Sequence, residues 1–210
     1  MSRFPPIAEY AFLSDCEADA LVAADGSVEW LCLPRPDSPS VFGALLDRSA
    51  GSFRVGPSHT FVPDQRRYLP GTNIVETTWH TPSGWLTVYD LLVIAPTKDR
   101  PRDESRPRAP ADESATGTLL RIATCFAGRV EVQIDCFPLF DYGRQEGQWA
   151  YTGEGYHGAR VTGGGLTIDV TSDARLDFTG PRAFGQTTLA EGESTFVALS
   201  WAGEAPADRA

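Results

Sequence analysis

The sequence predicts an all-β protein, a large antiparallel β-sandwich with one short helix. Three observations predict it. Apolar and polar residues alternate with a period of two through most of the chain, as in strands with one buried face. Gly, Pro, Asp and Ser interrupt that alternation every ~10 residues, which yields about a dozen short strands, the spacing of antiparallel sandwiches. Only residues 39–47 carry both a helix start signal and helical apolar spacing.

The elements follow in order. Residues 17–23 and 27–33 form a first hairpin around Asp25-Gly26, where both turn positions are expected to take positive φ. In the second arm Val28, Trp30, Leu31, Cys32 and Leu33 read as a strand covered on both faces. Pro34, Pro36 and Pro39 then fix φ at three nearby positions and withhold three backbone donors, so Arg35 and Asp37 are held in a defined loop geometry. Ser38 before Pro39 is an N-cap with proline at the first helical position. Phe42, Leu45 and Leu46 supply the i, i+3, i+4 face of that helix. Residues 73–80 and 85–95 form a second hairpin through Thr81-Pro82-Ser83-Gly84. Residues 118–126 and 129–140 form a third around Ala127-Gly128, with glycine for the positive φ. Later strands fall at 148–152, 159–162, 166–171, 175–178, 186–189 and 195–201, with turns at Gly163-Gly164-Gly165 and Glu191-Gly192-Glu193.

Residues 97–117 break the pattern with prolines, charges and no apolar periodicity. Strand patterns resume unchanged on the far side, so this stretch is expected to be a flexible insertion within one domain spanning 1–210. A chain of 210 residues is long enough to bury a sizeable core. Its net charge of −10 argues against nucleic acid and against anionic membrane surfaces, both of which select clustered Lys and Arg. Neutral sugars fit that charge. Lys98 is the sole lysine and Asn73 the sole asparagine, a composition that suggests a high-GC bacterial genome. No apolar run is long enough to cross a membrane, and the first twenty residues lack a signal-peptide core, so a cytoplasmic location is expected. Cys32, Cys125 and Cys136 lie in or beside apolar strand patterns and read as buried free thiols.

Chemistry finds little purchase in the residues themselves. There is no nucleophile elbow and no phosphate-cradling loop. His59, His80 and His157 stand apart, and neither they nor the cysteines show metal-ligand spacing, so no metal and no cofactor are expected. Glycoside hydrolysis needs two carboxyl groups, one with a raised pKa. Asp37 lies near Arg35, and Asp141 near Arg144; a neighbouring arginine favours the ionised carboxylate, the wrong state for a general acid. Both read as loop-fixing ion pairs, with an interface or substrate-rim role as the other reading, and no catalytic residue is assigned. Trp30, Trp79 and Trp201 sit among apolar neighbours and read as core. Trp149, Tyr151 and Tyr156 lie in a Gly-rich stretch, 148–158, and are the candidates for sugar stacking, with edge packing as the plainer reading.

The run Asp25-Gly26-Ser27-Val28-Glu29-Trp30-Leu31-Cys32-Leu33-Pro34-Arg35-Pro36-Asp37-Ser38-Pro39-Ser40-Val41-Phe42 resembles the opening of the trehalase and glucoamylase-like proteins of glycoside hydrolase family 15. Arg67-Tyr68-Leu69-Pro70-Gly71-Thr72-Asn73 and Asp141-Tyr142-Gly143-Arg144 extend the likeness over nearly the whole chain. Val28, Glu29 and Pro36 depart from the family's usual Ile, Asp and Phe, and Cys16 stands where the family tends to have glycine in a turn. The resemblance implies an amino-terminal β-sandwich followed by a larger helical (α/α) barrel that carries the catalytic carboxylates, with α-glucosides such as trehalose or malto-oligosaccharides as substrates, hydrolysed with inversion. The chain is therefore expected to be an accessory domain that docks on that barrel and shapes its substrate entrance, with Arg35, Asp37 and Ser38 at the rim or the interdomain face. A free-standing carbohydrate-binding module and a structural or oligomerisation domain are the alternatives.

Overall fold

Backbone pairing throughout is antiparallel, in keeping with the period-two alternation. The structure, a computed structural model, describes residues 4–96 and 113–201. Its strands are β1 (Ala11–Ser14), β2 (Asp19–Val22), β3 (Ser27–Cys32), β4 (Ser40–Phe42), β5 (Ser52–Pro57), β6 (Gln65–Tyr68), β7 (Val75–Thr81), β8 (Gly84–Pro96) and β9 (Glu113–Phe137). A four-residue helical turn, α1 (Phe140–Gly143), follows. Then come β10 (Gln145–Glu146), β11 (Gln148–Tyr151), β12 (Gly158–Gly163), β13 (Leu166–Ser172), β14 (Leu176–Thr179), β15 (Arg182–Ala190) and β16 (Ser194–Ser200). Of the stretch expected to be an insertion, 97–112 lies outside the described residues and 113–117 belongs to β9.

Two sheets share one strand. The first runs β1-β2-β3-β5, then the second half of β9, then β15 and β14, with β4 beside β3. The second runs β6-β7-β8, the first half of β9, then β16, β13, β12 and β11. Residues 118–126 and 129–140 are thus not the two arms of a hairpin. Residues 118–126 and 129–137 are successive parts of β9, which leaves one sheet for the other at Ala127-Gly128 and ends three residues short of the expected arm. A glycine with positive φ suits a bend as well as a tight turn, and partners elsewhere decide between them. Gly128 has φ +74°, and a β-carbon there would stand 2.3 Å from the Ser83 carbonyl oxygen. The next N–H, of Arg129, donates to that same oxygen at 2.9 Å, so the β7–β8 turn props the corner.

Two further expectations are corrected. Residues 39–47 are not helical. Ser40–Phe42 pairs with β3 as β4, and the N–H groups of Gly43 and Ala44 donate to Ala50 O and Gly51 O at 2.9 and 3.1 Å rather than into a helical ladder. Leu46 is exposed, so the helical spacing of Phe42, Leu45 and Leu46 marks no buried face. Among the described residues the one α element lies at α1 instead. The first hairpin also turns differently: Gly26 alone has positive φ, its N–H donates to Ala23 O at 3.1 Å, and Ala23 N–H donates to Ser27 O at 2.7 Å. That is a longer turn with a glycine bulge, in which the Asp25 carboxylate accepts the Ser27 N–H at 3.0 Å.

Between the sheets lie Trp79, Phe42, Phe53, Leu13, Leu31, Leu86, Leu119, Ile134 and Ile168, all fully buried. Among them sits a buried ion pair. Arg121 Nε donates to Asp90 Oδ1 at 2.7 Å across β8 and β9, and both side chains are 0% exposed. The other guanidinium nitrogens cross to the opposite sheet and donate to Phe53 O and Gly26 O, each at 2.6 Å.

Cys32, Cys125 and Cys136 are buried and unpaired, as read from the sequence, and burial pushes the thiol of Cys32 up to about 11. Cys16 has φ +72°, the conformation in which glycine carries no penalty. Cys16→Gly is expected to stabilise the domain by about 1 kcal/mol, read as a higher urea midpoint.

Candidate functional site

Two loops distant in sequence meet at one end of the sandwich. Leu33, Pro34, Ser38, Pro39 and Ser40 from the β3–β4 connection face Phe140, Asp141 and Gln145, with Gly164-Gly165-Leu166 of the β12–β13 turn closing the floor. Together they enclose a cleft of about 430 Å³, within the size range of small-molecule sites.

The first wall is the proline-rich loop. Arg35 N–H donates to Ser38 Oγ at 3.3 Å, and Ser38 N–H donates back to Arg35 O at 3.0 Å. Ser38 therefore closes a turn on Arg35 and caps no helix. The Arg35 guanidinium makes a two-pronged pair with Asp37, Nε to Oδ1 at 3.0 Å and Nη2 to Oδ2 at 2.9 Å. Both side chains are more than 70% exposed, so water screens the pair and it adds little to stability. It stands out from the surface as a pre-formed fork of charge.

The second wall is α1, and it is strained. Asp141, Tyr142 and Gly143 have φ of +51°, +57° and +85°, three successive left-handed residues. Such a conformation costs roughly 1–2 kcal/mol for each of the two non-glycine residues. Tertiary packing holds it. The Phe140 ring is buried against glycines: a β-carbon at Gly163 would stand 2.4 Å from it, and one at Gly147 3.0 Å from it. A β-carbon at Gly143 would meet that of Ala50 at 2.8 Å. Arg144 N–H returns to Phe140 O at 3.0 Å, and the Arg144 side chain lies 3.7 Å from the Asp141 carboxylate. Tyr142 faces Trp30 of β3, with ring centres 6.4 Å apart. Trp30 is only half-buried, unlike Trp79.

The aromatic candidates form a separate cluster. By register Trp149 lies beside Val161 of the core, and it stacks on Phe178 at 5.4 Å while donating from Nε1 to Pro181 O at 2.9 Å. Tyr151 stacks on the same Phe178 at 4.2 Å and meets Tyr156 edge-on at 4.8 Å, and Arg175 lies 4.2 Å over the Tyr156 ring. None of the three lines the cleft. The histidines remain apart: His80 stacks on Trp85 at 4.3 Å, and His59 lies 3.8 Å from Glu131. Among the described residues, no group of three or more His, Cys, Asp or Glu side chains could hold a metal ion.

A buried carboxylate fastens the loop behind the cleft. Glu29 accepts from the Tyr10 hydroxyl and from Arg48, and its backbone oxygen accepts Leu45 N–H at 3.0 Å. Burial first, and then the hydrogen bond to Glu29, push the Tyr10 phenol from 10.0 up to about 12. Folding thus favours the protonated phenol. Its contribution is complete below pH 10 and is lost as pH rises towards 12. Tyr10→Phe is expected to flatten the fall in melting temperature over that window; an unchanged slope would assign the fall to other groups.

Sequence reasoning reached Ser38 and Asp141 but missed Phe140, Gln145 and Leu166. The Gly163-Gly164-Gly165 run was the available signal; it read as a turn and is also the bed on which the Phe140 ring lies.

The sandwich and its paired loops are those of an N-terminal, all-β domain related to glycoside hydrolases. Residues 2–103 match the family described as trehalase-like, N-terminal. The trehalase of Mycolicibacterium smegmatis is 50% identical over 204 residues, covering 94% of this chain and 30% of the relative. The trehalase of Mycobacterium tuberculosis is 48% identical over 209 residues, covering 97% of this chain and 31% of the relative. Trehalase 1 of Sulfolobus acidocaldarius is 40% identical over 83 residues, covering 40% and 14%. The chain spans about 30% of the length of the two mycobacterial relatives.

Proposed function

We propose that this chain, a single domain over 1–210, is the non-catalytic accessory domain of a trehalase-like enzyme of glycoside hydrolase family 15. It docks on a helical catalytic barrel, and its Arg35-Asp37-Ser38 loop borders the entrance through which an α-glucoside such as trehalose reaches the active site. One observation carries this reading: two of the three stretches that resemble the family, some hundred residues apart, meet across one cleft, with a fork of charge exposed beside it. Asp37 and Asp141 are each tied to an arginine, an arrangement suited to fixing loops. Three buried free thiols fit a reducing compartment, the cytoplasm.

Glucose release from trehalose, maltose and soluble starch tests it. The 210-residue chain is expected to release none, and its fusion to the remaining part of the M. smegmatis trehalase is expected to hydrolyse trehalose. Arg35→Ala with Asp37→Ala in that fusion is expected to lower kcat/KM about tenfold, ~1.4 kcal/mol of transition-state stabilisation. Glucose release by the chain alone overturns the reading. Affinity of the isolated chain for glucans, removed by Tyr151→Ala and Tyr156→Ala, would make it a carbohydrate-binding module instead.

A further inference from the structure

The middle of the second sheet reverses the usual polarity of a sheet with one wet face. Asp90 of β8, Arg121 of β9 and Val197 of β16 lie side by side in register and are fully buried towards the first sheet. Their neighbours along each strand point the other way. Tyr89, Ile122 and Phe196 form one cross-strand row on that outer face, and Leu91, Leu120 and Ala198 form the next. Antiparallel sheets open to water on one side carry polar residues there, whereas strands covered on both sides read as continuous apolar runs. Here the ion pair is inside and the apolar tile outside. Phe196 and Ala198 are already shielded, while Tyr89, Leu91, Leu120 and Ile122 keep part of their surface exposed.

The border of the tile is polar and internally paired. Thr124 and Ser194 hydroxyls meet at 2.9 Å beyond one row, and Thr118 donates to Ser200 at 3.3 Å beyond the other. Arg160 and Asp169 neutralise each other at 2.6 Å on the β12–β13 side. An apolar centre within a neutral polar rim is the anatomy of a protein interface.

We propose that this outer face is where the larger remaining part of a trehalase-length chain docks, presenting an uncharged apolar surface of its own. The proposal rests on the accessory-domain reading and adds to it the face that is used. In the mycobacterial relatives about 70% of the chain lies outside the matched region, so there the matched domain shares its polypeptide with a larger body. A second copy is a poorer occupant, because each copy carries a net charge of −10. The tile also adjoins the cleft: Ser200 pairs with both Thr118 and Asp169, and Asp169 lies three residues from Leu166 in the cleft wall. One body can therefore cover the tile and reach the Arg35 loop.

Calorimetry of the fusion to the remaining part of the M. smegmatis trehalase, with Leu120→Glu and Ile122→Glu, tests the face. The unchanged fusion is expected to unfold in one transition. The substituted fusion is expected to show two, with the lower one matching the isolated chain. An apolar dye is expected to bind the isolated chain and to lose that binding both in the fusion and in the substituted chain. A single transition unmoved by the substitutions, or dye binding undiminished in the fusion, overturns the face. A chain that sediments as a dimer until Ile122→Glu separates it overturns the occupant. Turnover sensitive to Arg35→Ala with no splitting would leave the accessory-domain reading standing and remove this one. Splitting with turnover indifferent to Arg35 and Asp37 would keep the face and remove the rim.

Discussion

Arg121→Ala is expected to cost about 3–5 kcal/mol, the largest loss of stability from any single change to a charged residue of this domain. The guanidinium binds three acceptors that belong to both sheets: Asp90 beside it, and the backbone oxygens of Gly26 and Phe53 opposite. Truncation leaves the Asp90 carboxylate without its cation in a buried interior and takes one hydrogen bond from each carbonyl, Gly26 O keeping the Val55 N–H at 3.3 Å. The companion change, Arg121→Met with Asp90→Leu, removes the stranded charge. It is expected to recover part of the loss but not all, since each of the two carbonyls still gives up a hydrogen bond, at about 1 kcal/mol apiece. Urea unfolding followed by tryptophan fluorescence reads both variants. A loss below about 1 kcal/mol for Arg121→Ala would mean that hydrophobic packing alone joins the sheets there.

Phe140→Ala should cost about 3–5 kcal/mol, through lost burial and the cavity left behind. It carries a second, local consequence. The ring holds a turn in which Asp141 and Tyr142 are both left-handed, so without it those residues relax and the cleft loses one wall. Faster amide exchange at 141–147 than in β13 would report this. The glycine bed supplies the control. Gly163→Ala alone forces a contact of 2.4 Å with the ring and is expected to cost about 1–3 kcal/mol. In the Phe140→Ala background the same change meets an empty space and should cost far less. A double-mutant cycle showing no coupling would sink the account of the turn as held by ring-on-glycine packing.

The fold class was legible because burial on one face imposes period-two alternation on each strand, whatever its partner. The later strands at 148–152, 159–162 and 166–171 lie within a residue or so of β11, β12 and β13 for that reason. The misreadings share a cause as well. Phe42, Leu45 and Leu46 have helical spacing, yet Ser40–Phe42 finds a strand partner in β3, and pairing outweighs propensity in a three-residue segment. Gly128 permits a hairpin and a corner equally, and β5 and β15, far away in the chain, select the corner. The Arg35 loop and the Asp141 turn were each visible as motifs. That they share a cleft was not, because nothing local to either records the other.

By itself the sequence determined the all-β class, most strand positions and the buried free cysteines, all consequences of residue type and nearest-neighbour geometry. Only the tertiary structure decided that one strand serves two sheets, that Arg121 points inward while Leu120 and Ile122 point outward, and that Phe140 rests on glycines beneath a left-handed turn. Those outcomes depend on register between segments distant in the chain. A one-residue change of register exchanges the two faces of a strand, and its own sequence does not state which face the partner will cover.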